Sequence, residues 1–238
     1  MVTRNELGRY LPHTLAWLVH LTDCVHVHDD YSEDGTYDYL SGLANVTVSQ
    51  RQPYEASFLQ NESIFREAAW HEMENATQPT DRDWILSIDA DEFLLGMHEP
   101  CDTRAALHDQ VGTADALGID AIAFDVGEVF RLNGSEPMVR VDGFWDQIVA
   151  CRLVRSRQGA AFRHRVEGGG SVPTTWNDTG YTSLTLQILH LGYARVEDRQ
   201  ARYKRYDTGR GHNPRHIQSI LEPPLLTGWH GQRPPVNQ

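Results

Sequence analysis

Lysine is almost missing from this chain: Lys204 stands alone beside 20 arginines. Guanidinium groups grip phosphates in bidentate fashion, but codon bias in a GC-rich genome accounts for the excess more simply. Positive charge is short altogether, with 21 basic against 33 acidic residues and a net charge of −12. That balance argues against general nucleic-acid binding and against adhesion to an anionic membrane surface, both of which favour a basic face. Cysteine is scarce too. Cys24, Cys101 and Cys151 are odd in number, far apart and never in a Cys-x-x-Cys pair, so neither a disulfide framework nor a cysteine zinc site is indicated. No run approaches the roughly 18 apolar residues needed to span a bilayer, and Met1-Val2-Thr3-Arg4-Asn5-Glu6 lacks the apolar core of a signal peptide. The expectation is a cytoplasmic protein with no integral membrane segment. The Asn-x-Ser/Thr triplets at Asn45, Asn61, Asn75, Asn133 and Asn177 are accordingly not read as glycosylation sites.

What is present is ordinary globular composition over 238 residues, enough for one large α/β domain. Leu7, Leu11, Leu15 and Leu18 form the stripe of a helix over 7–21. A strand over 24–28 leads into an acidic turn, 29–36, that can cap a helix over 36–43. Strand 46–48, helix 57–75, strand 84–95, helix 103–117 and strand 119–126 follow. Alternating strands and helices predict a mostly parallel, doubly wound central sheet. The second half changes character. Asn133-Gly134 signals a hairpin between 129–132 and 138–141, and short strands at 148–154, 161–166 and 184–189 surround the Gly168-Gly169-Gly170 loop. A helix over 195–208 and an irregular Pro-rich tail from 222 complete the chain. The expected division is one domain over 1–222, with a ligand-binding half at 1–126 and an antiparallel-rich half at 127–222, followed by the tail 223–238.

The most informative stretch is Trp84-Ile85-Leu86-Ser87-Ile88-Asp89-Ala90-Asp91-Glu92, an apolar strand ending in acids. With 19 Asp in the chain, about 1.5 Asp-x-Asp pairs arise by chance, and Asp81-Arg82-Asp83 reads as a solvated turn. The strand-end position distinguishes the second pair. Side chains i and i+2 of a strand share a face, so Asp89 and Asp91 are expected to project together, where α/β sheets bind ligands.

Taken with Thr3-Arg4-Asn5-Glu6, the turn Asp29-Asp30-Tyr31-Ser32-Glu33-Asp34-Gly35-Thr36 and His190-Leu191-Gly192-Tyr193, this stretch resembles the family-two-like glycosyltransferases of the GT-A fold. The likeness runs over roughly residues 2–208. It implies a Rossmann-like α/β architecture and transfer of a sugar from a nucleotide diphosphate sugar, a UDP-sugar in the first instance, to an acceptor hydroxyl, with Mn²⁺ or Mg²⁺ as cofactor. By resemblance Asp91 binds the metal directly, Asp89 contacts the metal or the ribose, with Ala90 between them, and His190 is the third metal ligand. Thr3, Arg4, Glu6 and Asp29 or Asp30 map onto the base and ribose contacts, and Arg66 onto the uracil or diphosphate. An inverting displacement also needs a carboxylate base on the face opposite the leaving group. Glu167 and Asp146 are the candidates, with Glu128 third, and Trp145 and Trp176 are candidate platforms for an acceptor sugar. The Gln-x-x-Arg-Trp signature of processive synthases is absent, which favours addition of single sugars.

Two other readings compete. His26, His28 and Asp30 can share one strand face as a zinc or iron site of a metallohydrolase or oxygenase. Alternatively, the chain is a sugar-binding or nucleotide-binding module without chemistry.

Overall fold

The computed structural model describes residues 1–51, 62–98, 101–134, 136–146, 148–157, 160–162, 172–173, 180–207 and 214–231. Strand β1 (Val2–Thr3) leads into α1 (Leu11–Leu21), whose Leu11, Leu15, Leu18 and Leu21 are buried. The helix starts at residue 11 rather than 7. Asn5 sits at φ 54°, and Glu6 and Leu7 both donate their backbone N–H groups to Thr36 Oγ1, so residues 4–10 form a loop stitched to the acidic turn. Pro12 in the first turn costs α1 no hydrogen bond, since that N–H has no partner within the helix.

Strand β2 (Val25–Asp29), helix α2 (Thr36–Ser41) and strand β3 (Val46–Gln50) follow the expected order, and β1, β2 and β3 form a parallel three-stranded sheet. Asp34 accepts from the Thr36 N–H at the entry to α2, but the N-cap is Gly35, which makes no side-chain cap bond, so the turn leads into the helix without capping it as expected. Helix α3 (Glu62–Thr77) comes next. Part of its predicted range, 57–61, lies outside the described residues.

The second sheet has seven strands and is largely antiparallel. It contains β4 (Trp84–Leu86), β5 (Glu92–Gly96), β6 (Ala121–Asn133), β7 (Glu136–Arg140), β8 (Ile148–Arg155), β9 (Tyr181–His190) and β10 (Leu226–Gly228). The long strand β6 lies at its centre, antiparallel to β7 and β8 and parallel to β9. The β6–β7 hairpin turns at Gly134, φ 64°. Helix α4 (Thr103–Leu117) starts on Asp102, which accepts from Ala105 N–H, and stops at Gly118 in the left-handed conformation. Helices α5 (Val196–Asp207) and α6 (Pro214–Ser219) lie between β9 and β10.

The tail departs from expectation. Leu226–Gly228 pairs with β7, and Trp229 packs so closely over Gly127 that a Cβ there would lie 2.6 Å from its ring. The predicted strand at 161–166 is not formed at 161–162, and 163–166 lies outside the described residues, as do the three glycines.

One core, built on Leu11, Leu15, Val27, Leu40, Leu94, Phe124, Leu153 and Ile188, packs α1 between the two sheets. Among the described residues the two sheets share no ladder. The end strands β1 and β4 are separated by a cavity of about 290 Å³ lined by Met1, Val25, His26, Trp70, Met73, Trp84 and Leu86.

Candidate active site

The acidic stretch is not a continuous strand. β4 ends at Leu86 and β5 begins at Glu92, and residues 87–91 form a turn in which Glu92 N–H donates to the Asp89 carbonyl (3.1 Å) and Asp89 N–H donates to Glu92 Oε2 (3.0 Å). The i, i+2 alternation therefore does not hold here, and the two acids take different partners. Asp89 is held bidentate by Arg66 (3.0 and 3.2 Å), with Arg152 Nη2 at 3.8 Å. Burial works to raise its pKa, but Arg66 and Arg152 outweigh it and bring the carboxyl down to about 2. Arg152 also clamps the buried Glu92 at 2.5 Å. Ala90 faces the core, and its carbonyl accepts from Thr14 Oγ1 at 2.7 Å. Asp89 and Asp91 thus face different partners, and the arginine on Asp89 is the residue expected to reach the donor.

Asp91 and His190 do meet. Asp91 precedes β5 and His190 ends β9, and the β5–β9 pairing brings His190 Nε2 to 3.4 Å from Asp91 Oδ2. Behind them Glu128 on β6, opposite His190 in the ladder, lies 2.6 Å from His190 Nδ1. A carboxylate fixing the far nitrogen of an imidazole is the arrangement that orients a metal-ligating histidine. Glu128 is thereby committed to positioning His190. Burial lowers the His190 pKa, yet Glu128 and Asp91 together lift it well above the ordinary imidazole value. Burial would raise Asp91, but His190, Arg202 and Arg9 drive it far below the carboxylate range.

Among the described residues no group of three or more His, Cys, Asp or Glu side chains is placed to hold a metal ion. Asp91 and His190 fit as two protein ligands of a cation whose other positions go to phosphate oxygens and water, as Mg²⁺ sites are commonly built.

Four residues of this site were not foreseen. Arg202 on α5 donates from Nη2 to Asp91 Oδ2 at 2.9 Å, and the same nitrogen lies 3.3 Å from His190 Nε2. Tyr193 lies beneath the guanidinium, 4.8 Å away. Arg9 joins Glu6 (2.6 Å) to Asp198 in the first turn of α5 (3.1 Å). Burial raises the Glu6 pKa to about 7 despite Arg9. The one sequence clue is Gly192: a Cβ there would collide with both the His190 imidazole and the Arg202 guanidinium.

The anticipated nucleotide contacts gather around β1 and β2. Asp30 is buried between Arg51 Nε (2.5 Å) and Arg4 Nη1 (3.5 Å), and burial raises its pKa against those two cations. Among the described residues, Thr3 Oγ1 and His28 Nε2 are buried with no hydrogen-bond partner. Asp29 instead accepts from Ser32 N–H, Ser32 Oγ and Gln50 Nε2, so its role is to build the turn.

The competing histidine site does not assemble. His26 bonds Thr47 Oγ1 and Ser49 Oγ, His28 bonds Ser49 Oγ, and Asp30 belongs to the arginines. Burial, helped by the Met1 ammonium and His28, lowers the His26 pKa to about 4. An NMR titration of the ring protons should place its midpoint near 4. The linkage has a definite sign. An unfolded His26 takes a proton near its ordinary 6.5 and the folded one only near 4, so this group removes stability as pH falls between those values and none above them. A midpoint near 6.5 would refute the buried environment.

In the C-terminal half, Asp146 is exposed at the end of a 3-10 turn, Gly143–Trp145. Trp145 is core rather than a sugar platform: it is buried against Phe130 and Tyr193 and donates to Ser219 Oγ. Glu167 and Trp176 lie outside the described residues.

The path of the chain through these strands decides the comparison with solved structures. It shares its fold with S. aureus TarS. The TM-score is 0.51 at 15% identity, over 92% of this chain and 41% of that one, so the chain spans about two fifths of the TarS length. A shorter TarS structure, residues 1–349, aligns at TM-score 0.46 and 13% identity, over 92% of this chain and 67% of that one. No family model and no curated protein sequence matches. Among the described residues no helix is long and apolar enough to cross a membrane.

Proposed function

We propose that this protein transfers a sugar from a nucleotide diphosphate sugar, with UDP as the nucleotide, to an acceptor hydroxyl, with inversion and with Mn²⁺ or Mg²⁺ bound by Asp91 and His190. The observation that carries the reading is the convergence of Asp91, at the start of β5, with a histidine at the end of β9 that Glu128 orients. Supporting it are the buried, unpartnered Thr3 Oγ1 and His28 Nε2 on the two strands whose ends would receive a nucleoside, and a fold shared with TarS, a glycosyltransferase.

In this reading Thr3, Asp30 and Arg4 bind the base and ribose, and Arg66 keeps Asp89 ionised beside the diphosphate path. A divalent cation, when bound, supplies a Lewis acid for the charge that develops on the departing nucleoside diphosphate. Glu128 holds the His190 ring in one orientation throughout. The acceptor proton goes to a carboxylate of the second half, Glu167 or Asp146.

A thermal-shift screen of nucleotide diphosphate sugars with and without Mn²⁺ tests this. The matching donor, at a hundred times its dissociation constant, should stabilise the protein by about 2.7 kcal/mol, and only with the cation present. Stabilisation by no nucleoside diphosphate sugar overturns the reading. Stabilisation without turnover on any acceptor would leave a binding module.

A further inference from the structure

Arg202 places a cation at the very atoms assigned to another one. Its Nη2 lies 2.9 Å from Asp91 Oδ2 and 3.3 Å from His190 Nε2, the two atoms that converge as ligands. The side chain is 17% exposed and rests on the Tyr193 ring, and its Nε is buried without a hydrogen-bond partner among the described residues. Its helix is pinned one turn earlier. Asp198 is paired with Arg9, and Arg199 donates to the carbonyls of Phe130 and Tyr193, both at 2.6 Å. The anchor is rigid, and a long side chain beyond it reaches into the site. Gly192 leaves the space in which guanidinium and imidazole lie together.

We propose that Arg202 is a resident counter-ion: it occupies the Asp91–His190 pair in the free protein, leaves it when a divalent cation binds, and turns to the diphosphate of the donor. The inference rests on reading that pair as cation ligands. A guanidinium satisfies Asp91 while the site is empty of substrate, which spares the protein an uncompensated buried carboxylate. Its bidentate fork then suits the phosphate oxygens that arrive with the metal. The geometry makes cation binding an exchange rather than a simple addition, and so ties it to the arrival of the donor.

The two halves of the exchange predict effects of opposite sign. In a titration of the full chain with Mn²⁺ alone, followed by electron paramagnetic resonance of the free ion, Arg202→Met should bind Mn²⁺ at least tenfold more tightly than the unaltered protein. With donor present, the same variant should lose at least tenfold in kcat. A purely structural arginine would weaken both. Arg202→Gln, which keeps a polar end without charge, should repeat the pattern and guards against a variant that fails to fold. Equal or weaker Mn²⁺ binding by both variants overturns the exchange while leaving Asp91 and His190 as ligands, provided Asp91→Asn abolishes binding. Mn²⁺ binding by none of these proteins overturns the exchange and the cation site together. Tighter binding with unchanged kcat overturns the proposed turn toward the diphosphate.

Discussion

Asp91→Asn should lower the proposed sugar transfer by a factor on the order of 10³, the scale of losing a charge that organises a developing anion's environment. The substitution keeps the shape of the side chain and leaves an oxygen to accept from Arg202. It removes the negative charge that faces Arg202, His190 and Arg9. Turning a charge-assisted hydrogen bond into a neutral one costs about 1–2 kcal/mol of stability, because Glu128 remains beside His190. The variant is therefore expected to fold, with an ordinary circular dichroism spectrum, and to have lost both turnover and the Mn²⁺-dependent thermal shift with donor. Retention of a tenth of the activity would show that Asp91 is not where the cation acts. Asp89→Asn makes the contrast: its partners are Arg66 and Arg152, so it should alter donor affinity and local stability more than the cation requirement.

The largest loss of stability should come from Arg152→Met. Arg152 is the guanidinium on Glu92, which is 2% exposed, and it also approaches Asp89. Burial already raises the Glu92 pKa against the pull of Arg152. Without the arginine an uncompensated carboxylate remains in the interior, at a cost of about 3–5 kcal/mol. The second change Glu92→Gln should restore much of that loss, since removing both partners leaves no stranded charge. Denaturant midpoints of the two single variants and the double variant measure the coupling. Additive losses would mean that the pair does not act as a unit.

Much of the scaffold was legible because local rules and tertiary packing agree. The leucine stripe of α1, the Asp102 cap and Gly118 stop of α4, and the Asn133-Gly134 turn each state their structure through spacing or through one residue's backbone preference. Asp91 and His190 were also picked out, by resemblance of their motifs, and the fold brings them together because the residue after Asp91 opens β5 opposite His190 in the ladder. The break between β4 and β5 was not. The apolar run from Trp84 to Ile88 reads as strand, and the turn is set by hydrogen bonds between Glu92 and Asp89 that no periodicity encodes. The short strand β10 was hidden for a related reason, because its partner β7 lies about 90 residues earlier. Arginine roles were the least legible. A guanidinium on a helix or strand reads as a solvated charge until the fold shows which carboxylate it faces, as with Arg66 and Arg202 on helices and Arg152 on β8.

Among the described residues no ladder joins β1 to β4, and a hollow lined by Met1, Val2, Trp84 and Leu86 lies between these two end strands. Open strand borders of this kind are where foreign chains add on, copy after copy. Concentrated solutions of this protein should accordingly clump through that border first.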